Sequence, residues 1–383
     1  MKIHVKTMTN LEEVLVREIE EIGGREIEKG HRIVTFEGSM RAVYRANYEL
    51  RTALRVLIPF HDFRVRDEND LYKKIQQVDW SEYLEVDQTF AIDATLSDTP
   101  KLTHSKYVAL KTKDAIVDQF RDKFGKRPSV NIQSPDIRIH LHIRQGLGSL
   151  SLDSSGDSLH KRGYRLDAVE APISEVLAAG MILLSGWDKK TPFLDPMCGS
   201  GTLLVEAARM AMKIPPQFGR TTFGFTNWPN FEESLWNNVV EKANKHITAE
   251  CPSILGCDAS FQAIRIAERN LEAANLLDQI DLKRKKFEKL EPPFESGMIV
   301  TNPPYDERLP IKDTEALYKM IGDRLKQHFA GYTAWIISSS MEGFKSFGLR
   351  PSRKIKLYNG PLECRFQKYE LYAGSKKKKF QDA

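Results

Sequence analysis

Four consecutive residues, Asn302-Pro303-Pro304-Tyr305, follow the apolar run Met298-Ile299-Val300, which reads as a buried strand. The group they suit is the exocyclic amine of a nucleobase. Such an amine is a poor nucleophile because its lone pair is delocalised into the ring. The amide oxygen of Asn302 and the main-chain carbonyl of Pro303 can each accept one of its N–H hydrogens. That draws the nitrogen toward tetrahedral geometry and aims its lone pair at a methyl donor. Pro304 fixes the backbone and biases Pro303 toward an extended conformation, so the carbonyl is held in place. Tyr305 offers a flat face on which an extruded base stacks, worth about 1–3 kcal/mol. Taken alone, Asn-Pro-Pro is also a chain-breaking turn; its place at a strand tip favours the chemical reading.

A second constellation lies upstream. Thr191 to Asp195 reads as a strand, Pro196-Met197-Cys198-Gly199-Ser200-Gly201 as a glycine turn, and Leu203 to Met212 as a helix. Gly199 and Gly201 let the main chain turn tightly against a ligand, and the helix start offers free N–H groups. A phosphate-binding P-loop would need a lysine after Gly201, and an NAD fingerprint would need a third glycine where Leu204 stands. A carboxylate at the strand tip, Asp195, suits a ligand with a cationic amino-acid portion, and S-adenosylmethionine carries both an ammonium and a sulfonium. The next strand ends in Gly256-Cys257-Asp258-Ala259, where Asp258 is placed to hold a ribose diol.

These sites need a scaffold, and its periodicity is legible. From Leu159 onward, helices alternate with short buried strands: Thr191–Asp195, Ser253–Asp258, Ile280–Arg284, Gly297–Thr301, Tyr332–Ser338, Arg353–Tyr358 and Arg365–Leu371. That is the pattern of a parallel sheet with crossover helices, closed here by a hairpin. Lys213 to Glu250 reads as an insertion carrying one helix, Phe231 to His246. Before Leu159 the chain reads first as β-α-β-β-α-β, with Asn10 capping a helix from Leu11 to Ile22, the order of a ferredoxin-like unit. A second small α/β segment follows, with a long helix at Ser105–Phe124 and strands at Asp136–Gln145 and Gly148–Asp153.

Composition agrees with a soluble, multidomain chain: 383 residues, 41% apolar and 28% charged. No apolar run reaches membrane-spanning length, and the N-terminus is not a signal peptide, so a cytoplasmic location is expected. Cys198, Cys251, Cys257 and Cys364 show no zinc-ligand spacing and read as reduced thiols; no metal is expected. The net charge of +5, from 57 basic and 52 acidic residues, tolerates a polyanionic partner without requiring one. The Lys376–Lys379 run reads as a solvated tail.

Asp195–Thr202, Asn302–Tyr305 and the stretch Leu152-Asp153-Ser154-Ser155-Gly156-Asp157-Ser158-Leu159-His160-Lys161-Arg162-Gly163-Tyr164-Arg165 together resemble the THUMP-containing N2-guanine RNA methyltransferases, above all the RlmL-type 23S rRNA enzymes in a short form with a single methyltransferase domain. The resemblance implies a class I, Rossmann-like methyltransferase domain over 171–374, a ferredoxin-like segment over 1–64, a THUMP RNA-binding domain over 45–155, a linker at 156–170 and a basic tail at 375–383. It implies S-adenosylmethionine as cofactor, held by Asp195, Pro196, Cys198, Gly199, Gly201, Asp258 and Ala259, and catalysis by Asn302, Pro303, Pro304 and Tyr305. The target it implies is a guanine N2 in large-subunit rRNA. The chain departs from the family in two places. Lys285-Lys286-Phe287-Glu288 stands where an acidic residue often holds the adenine amine, so Phe287 is expected to cover the adenine ring. Asp306-Glu307-Arg308 stands where many relatives have Gly-Glu-Arg.

RNA contact is expected from Lys106, Lys111, Lys113, Arg144, Lys161, Arg162 and Arg165. Two alternatives share these features: the same chemistry on tRNA, and a non-catalytic RNA-binding protein with a relict cofactor site. Adenine methylation of DNA accounts less well for the front half.

Overall fold

The β-α-β-β-α-β order of the first segment is present as β1 (Lys2–Lys6), α1 (Glu12–Glu21), β2 (Arg25–Lys29), β3 (Ile33–Glu37), α2 (Met40–Glu49) and β4 (Arg55–Arg64). Residues 1–167, 173–304 and 311–373 are described, in a computed structural model. Asn10 departs from expectation. It adopts φ +68° one residue ahead of the capping position, and its amide donates to the Lys356 carbonyl at 3.0 Å.

The second segment supplies α3 (Glu68–Gln76), β5 (Thr89–Ser97), α4 (Ser105–Phe124), β6 (Ser129–Val130), β7 (Ile137–Arg144) and β8 (Leu147–Asp153). The sequence reads as a ferredoxin-like unit followed by a second small α/β segment; the strands of both join in one eight-stranded sheet, in the order β2-β3-β1-β4-β8-β7-β5-β6. The long strand β4 joins them. It pairs with β1 over Arg55–Leu57 and with β8 over Leu57–Arg64. Its register slips between Pro59 and His61, where a residue without an N–H is tolerated. Ile137, Ile139, Leu141 and Ile143 of β7 are all buried, as their alternation requires.

These elements form one compact unit, Met1–Thr7, Leu15–Leu159 and Gly219–Lys242; the other comprises Met8–Val14, His160–Phe218 and Ala243–Ala383. The second unit contains α5 (Glu175–Ser185), β9 (Phe193–Asp195), α6 (Thr202–Ala211), the end of α7 (Glu233–Asn244), β10 (Ile254–Asp258), α8 (Phe261–Ala273), β11 (Asp281–Arg284), β12 (Gly297–Thr301), α9 (Ile311–His328), β13 (Tyr332–Ser338), α10 (Met341–Ser346), β14 (Arg353–Asn359) and β15 (Leu362–Glu370). Its seven strands run β11-β10-β9-β12-β13-β15-β14, with only the β15 pairings antiparallel. The chain moves outward from β9 to β11, then returns to the other side of β9 at β12. That reversal opens a crevice at the carboxyl ends of β9 and β12, where ligands of such sheets bind.

The long Lys213–Glu250 connection does not stay with the sheet it interrupts, since Gly219–Lys242 groups with the first unit. The cause is aromatic. Tyr44 of α2 meets Phe225 at 4.6 Å between ring centroids and Trp236 edge-on at 5.9 Å, and Tyr48 meets Trp236 at 5.5 Å. Such rings bury large areas and gain further from tilted and edge-to-face geometry. Among the described residues no helix is long and apolar enough to cross a membrane, and no group of His, Cys, Asp and Glu side chains could hold a metal ion.

Candidate active site

Three strand tips converge on one cavity of about 720 Å³, within the range of small-molecule sites. Register sets them side by side: Gly256 of β10 pairs with Asp195 of β9, and Ile299 of β12 with Leu194. Asp195, Pro196, Cys198, Gly199, Asp258, Ala259, Phe287, Asn302 and Pro304 all line the cavity. Gly201 caps the start of α6 beside it, and Pro303 is buried between Asn302 and Pro304. Tyr305 and Asp306–Arg308 lie outside the described residues.

The loop after β9 owes its shape to glycine. Gly199 and Gly201 sit at φ +52° and +81°, a region that side chains disfavour, and a Cβ on Gly201 would come within 3.3 Å of the Ala267 Cβ. A third close approach is supplied from the strand side. Leu204, where an NAD fingerprint would place glycine, presses its Cδ1 to 2.3 Å of where a Gly256 Cβ would stand. The glycine that admits the helix is therefore on β10.

Both carboxylates are anchored. Asp258 accepts from the Gly199 N–H at 3.0 Å with Oδ2 and from the Ser260 N–H at 2.9 Å with Oδ1. Each oxygen keeps a lone pair for a further donor. Asp195 is 1% exposed, and its Oδ1 accepts from the Thr301 hydroxyl at 2.7 Å and the Met197 N–H at 3.3 Å. Burial pushes its pKa up to about 7, Asp258 adds to the rise, and the two hydrogen bonds oppose it. Burial likewise raises the Cys198 thiol, and the Cys257 thiol to about 11, so neither is a thiolate nucleophile near neutral pH.

The cavity fits a ligand with a cationic end, a diol and a flat apolar ring. Asp195 and Asp258 are carboxylates of the kind that suit the first two. Phe287, 4% exposed and stacked on Phe329 at 5.6 Å, gives an apolar wall for the third. Asn302 faces the same cavity, and its Oδ1 has no hydrogen-bond partner among the described residues. A buried acceptor left in this state calls for a donor.

Sequence reasoning missed three supporting residues. Thr301 ties β12 to β9 through Asp195. Asn270, on α8, donates to the Ser200 carbonyl at 3.0 Å while its Oδ1 accepts from the Leu166 N–H at 3.0 Å, fastening the glycine loop to the segment before it. Glu206 of α6 is fully buried, pairs with Arg162 and accepts from the Tyr164 hydroxyl at 2.8 Å. Only Glu206 left a signal, a carboxylate on the apolar face of a helix.

That last contact corrects an expectation. Arg162 is 4% exposed and neutralised by Glu206, so it is not presented to RNA. Arg165 is likewise engaged, with Glu175 at 3.2 Å and the Thr202 hydroxyl at 3.0 Å. The neighbouring Asp153-Ser154-Ser155 is a latch inside the first unit. Asp153 pairs with Arg55, Ser154 Oγ donates to the Val56 carbonyl at 2.7 Å, and Ser155 Oγ donates to Asn47 Oδ1 at 2.7 Å. Elsewhere, Lys106 and Lys161 are exposed, Lys111 sits 5.0 Å over the Tyr72 ring, Lys113 pairs with Asp114, and Arg144 faces Asp98 at 3.7 Å.

Comparison with known proteins identifies the domains. Residues 162–368 match the RMKL-like methyltransferase domain, residues 65–153 the THUMP domain and residues 2–57 the RlmL ferredoxin-like domain. A Synechocystis protein named as an RNA methyltransferase is 39% identical, over 94% of both chains. The ribosomal RNA large subunit methyltransferase K/L of Syntrophotalea carbinolica is 37% identical over 97% of this chain, and the K/L enzyme of Desulfotalea psychrophila 38% over 93%. The chain spans about half the length of those two enzymes, 54% and 50%. Among solved structures, a methyltransferase complexed with S-adenosylhomocysteine superposes with a TM-score of 0.87 at 29% identity, over 98% of this chain and 99% of that one. A methylase from Clostridium difficile 630 gives 0.88 at 30% identity, with the same coverage. The chain belongs to the RMKL-like methyltransferase family, in the form that carries an RlmL ferredoxin-like domain and a THUMP domain ahead of the methyltransferase domain.

Proposed function

We propose that this chain methylates the exocyclic N2 of a guanosine in large-subunit ribosomal RNA, with S-adenosylmethionine as the donor. The observation that carries the amine chemistry is Asn302. It lines the cavity beside the strand tip bearing Asp195, and its Oδ1 lacks a hydrogen-bond partner among the described residues. The ribosomal substrate is supported by the names of the K/L relatives and by the THUMP match. The N2 position rests on the family resemblance of Asn302–Tyr305 and Leu152–Arg165.

In this reading Asp195 receives the ammonium of the donor's methionine part, Asp258 the ribose diol, and Phe287 covers the adenine. The donor supplies an electrophilic methyl on a sulfonium that becomes a neutral thioether. Asn302 Oδ1 and the Pro303 carbonyl accept the N–H hydrogens of the flipped guanine, which localises the nitrogen lone pair and directs it at the methyl; the proton the nitrogen sheds after transfer passes to solvent. Tyr305 stacks on the base. The ferredoxin-like and THUMP segments hold the RNA, with Lys106, Lys111 and Arg144 as candidate contacts and Lys161 of the linker as a further one.

The test is transfer of labelled methyl to ribosomal RNA lacking the modification, with the product nucleoside identified by mass spectrometry. Asn302→Ala should lose at least a hundredfold in turnover, on the scale of removing one preorganised hydrogen-bonding group, while binding the cofactor normally in calorimetry. Label in transfer RNA alone would move the substrate. Undiminished transfer by Asn302→Ala would remove the catalytic assignment.

A further inference from the structure

The second unit carries a basic and aromatic surface that neither the sequence motifs nor the comparisons assign. It lies on the edge strand β11 and the start of α8. Between 283 and 289, Lys283, Arg284, Lys285, Lys286 and Lys289 are all exposed. Beside them, Phe261 leaves 58% of its surface in water. Two guanidiniums flank its ring, Arg265 at 5.9 Å and Arg284 at 5.8 Å from the centroid. Lysines on an edge strand can serve simply to block edge pairing. That role needs neither an exposed phenyl ring nor an arginine brought to it from a helix.

The patch also has a direction. Ser260 and Gln262, on either side of Phe261, line the cavity, and so does Lys286 at the other end of the basic run. A cationic strip with one exposed ring therefore borders the cavity that Asn302 also lines. Over 281–291 these five cations face three acids, Asp281, Glu288 and Glu291, of which Glu288 pairs with Lys286 at 3.6 Å and Glu291 pairs with Arg324 at 3.1 Å. Clustered cations with an interleaved aromatic ring are the chemistry of single-stranded nucleic acid, with phosphates held by charge and a base stacked on the ring.

We propose that Phe261, Arg265, Arg284 and the lysines of 283–286 form an RNA-binding surface on the methyltransferase domain. It grips the single-stranded nucleotides that flank the target base, with a neighbouring base stacked on Phe261. This surface is separate from the THUMP segment, and the inference rests on the RNA-methyltransferase reading above.

The test uses the full chain and an unmodified large-subunit rRNA transcript, with affinity measured by filter binding across a range of KCl concentrations. Arg265→Gln/Arg284→Gln should weaken binding and lower the slope of log affinity against log salt by roughly 1.5, two phosphate contacts at about 0.7–0.9 each. Phe261→Ala should weaken binding about fivefold or more, the low end of a lost stack, with the slope unchanged. Lys189→Gln/Lys190→Gln, at the amino end of β9 away from the cavity, is the control and should alter neither quantity. Calorimetry with S-adenosylmethionine should give wild-type affinity in every variant, showing that the domain is intact. Wild-type protein that binds RNA, with both patch variants matching it, overturns the surface alone. Wild-type protein that binds no RNA overturns the surface together with the RNA reading.

Discussion

Thr301 and Asp195, the last residues of β12 and β9, are joined by a hydrogen bond of 2.7 Å from hydroxyl to carboxylate. The strand that leads to Asn302, proposed as catalytic, thus holds in its orientation the carboxylate proposed for the cofactor. The bond favours the ionised form of Asp195, and a hydrogen bond to a charged group contributes about 1.5–3 kcal/mol. Thr301→Val keeps the shape and removes it. Calorimetry at pH 7 should show S-adenosylmethionine binding at least tenfold weaker, with a smaller deficit at pH 9, where the carboxyl is ionised regardless. Equal affinity at both pH values would show that the bond does not tune Asp195.

The same carboxyl gives the site a pH dependence. With its pKa raised to about 7 by burial, Asp195 is largely neutral below pH 7 and ionised above. A cationic ligand group prefers the ionised form, so cofactor affinity should fall about tenfold per pH unit below 7 and level off above it. The sign for stability is opposite. Because the folded value is raised, the ligand-free protein loses stability as pH climbs from the ordinary 3.8 to about 7, and nothing further changes above that. Isothermal titration from pH 5.5 to 8.5 checks the first point; a flat affinity profile would contradict it.

Gly256 makes a packing prediction. A methyl there would come within 2.3 Å of Leu204 Cδ1 and 2.9 Å of Leu282 Cδ2, in a buried layer that yields little. Gly256→Ala should cost about 1–3 kcal/mol by urea unfolding, the usual penalty of overpacking. Adding Leu204→Ala should recover part of that loss, so the double variant costs less than the sum of the singles.

Much of the site was legible because its chemistry sits on consecutive residues at strand ends. Asp195, Gly199, Asp258 and Asn302 each lie one turn or less from a buried strand, and parallel-sheet topology alone brings such tips together. What stayed hidden depends on partners distant in sequence. Nothing local marks β4 as shared between two half-sheets, since its length reads equally as one long edge strand. Nothing local sends Phe225 and Trp236 to Tyr44, which precedes them by a whole domain's length of chain. Arg162 misleads for the same reason: a cation in a basic stretch reads as surface until its counter-charge, Glu206 of α6, is found more than forty residues on.

That buried pair supplies a prediction that also separates structure from RNA contact. Glu206 is fully buried against Arg162 and accepts from the Tyr164 hydroxyl, while the Arg209 guanidinium lies 4.9 Å from the Tyr164 ring. Arg162→Met would leave a carboxylate without its main counter-charge in a dry site, at a cost of about 3–5 kcal/mol. Replacing the three together by apolar side chains, as Arg162→Met/Glu206→Met/Tyr164→Phe, removes the stranded charge and should recover most of that loss in chemical denaturation. RNA binding supplies the second reading. Lys161, one residue away, is exposed and is the candidate phosphate contact of this stretch, so Lys161→Gln should lower the salt slope by about 0.7–0.9. Arg162→Met, assayed at a temperature where it stays folded, should leave that slope unchanged. The reverse pattern, with Arg162→Met stable but losing salt dependence, would return Arg162 to the RNA interface.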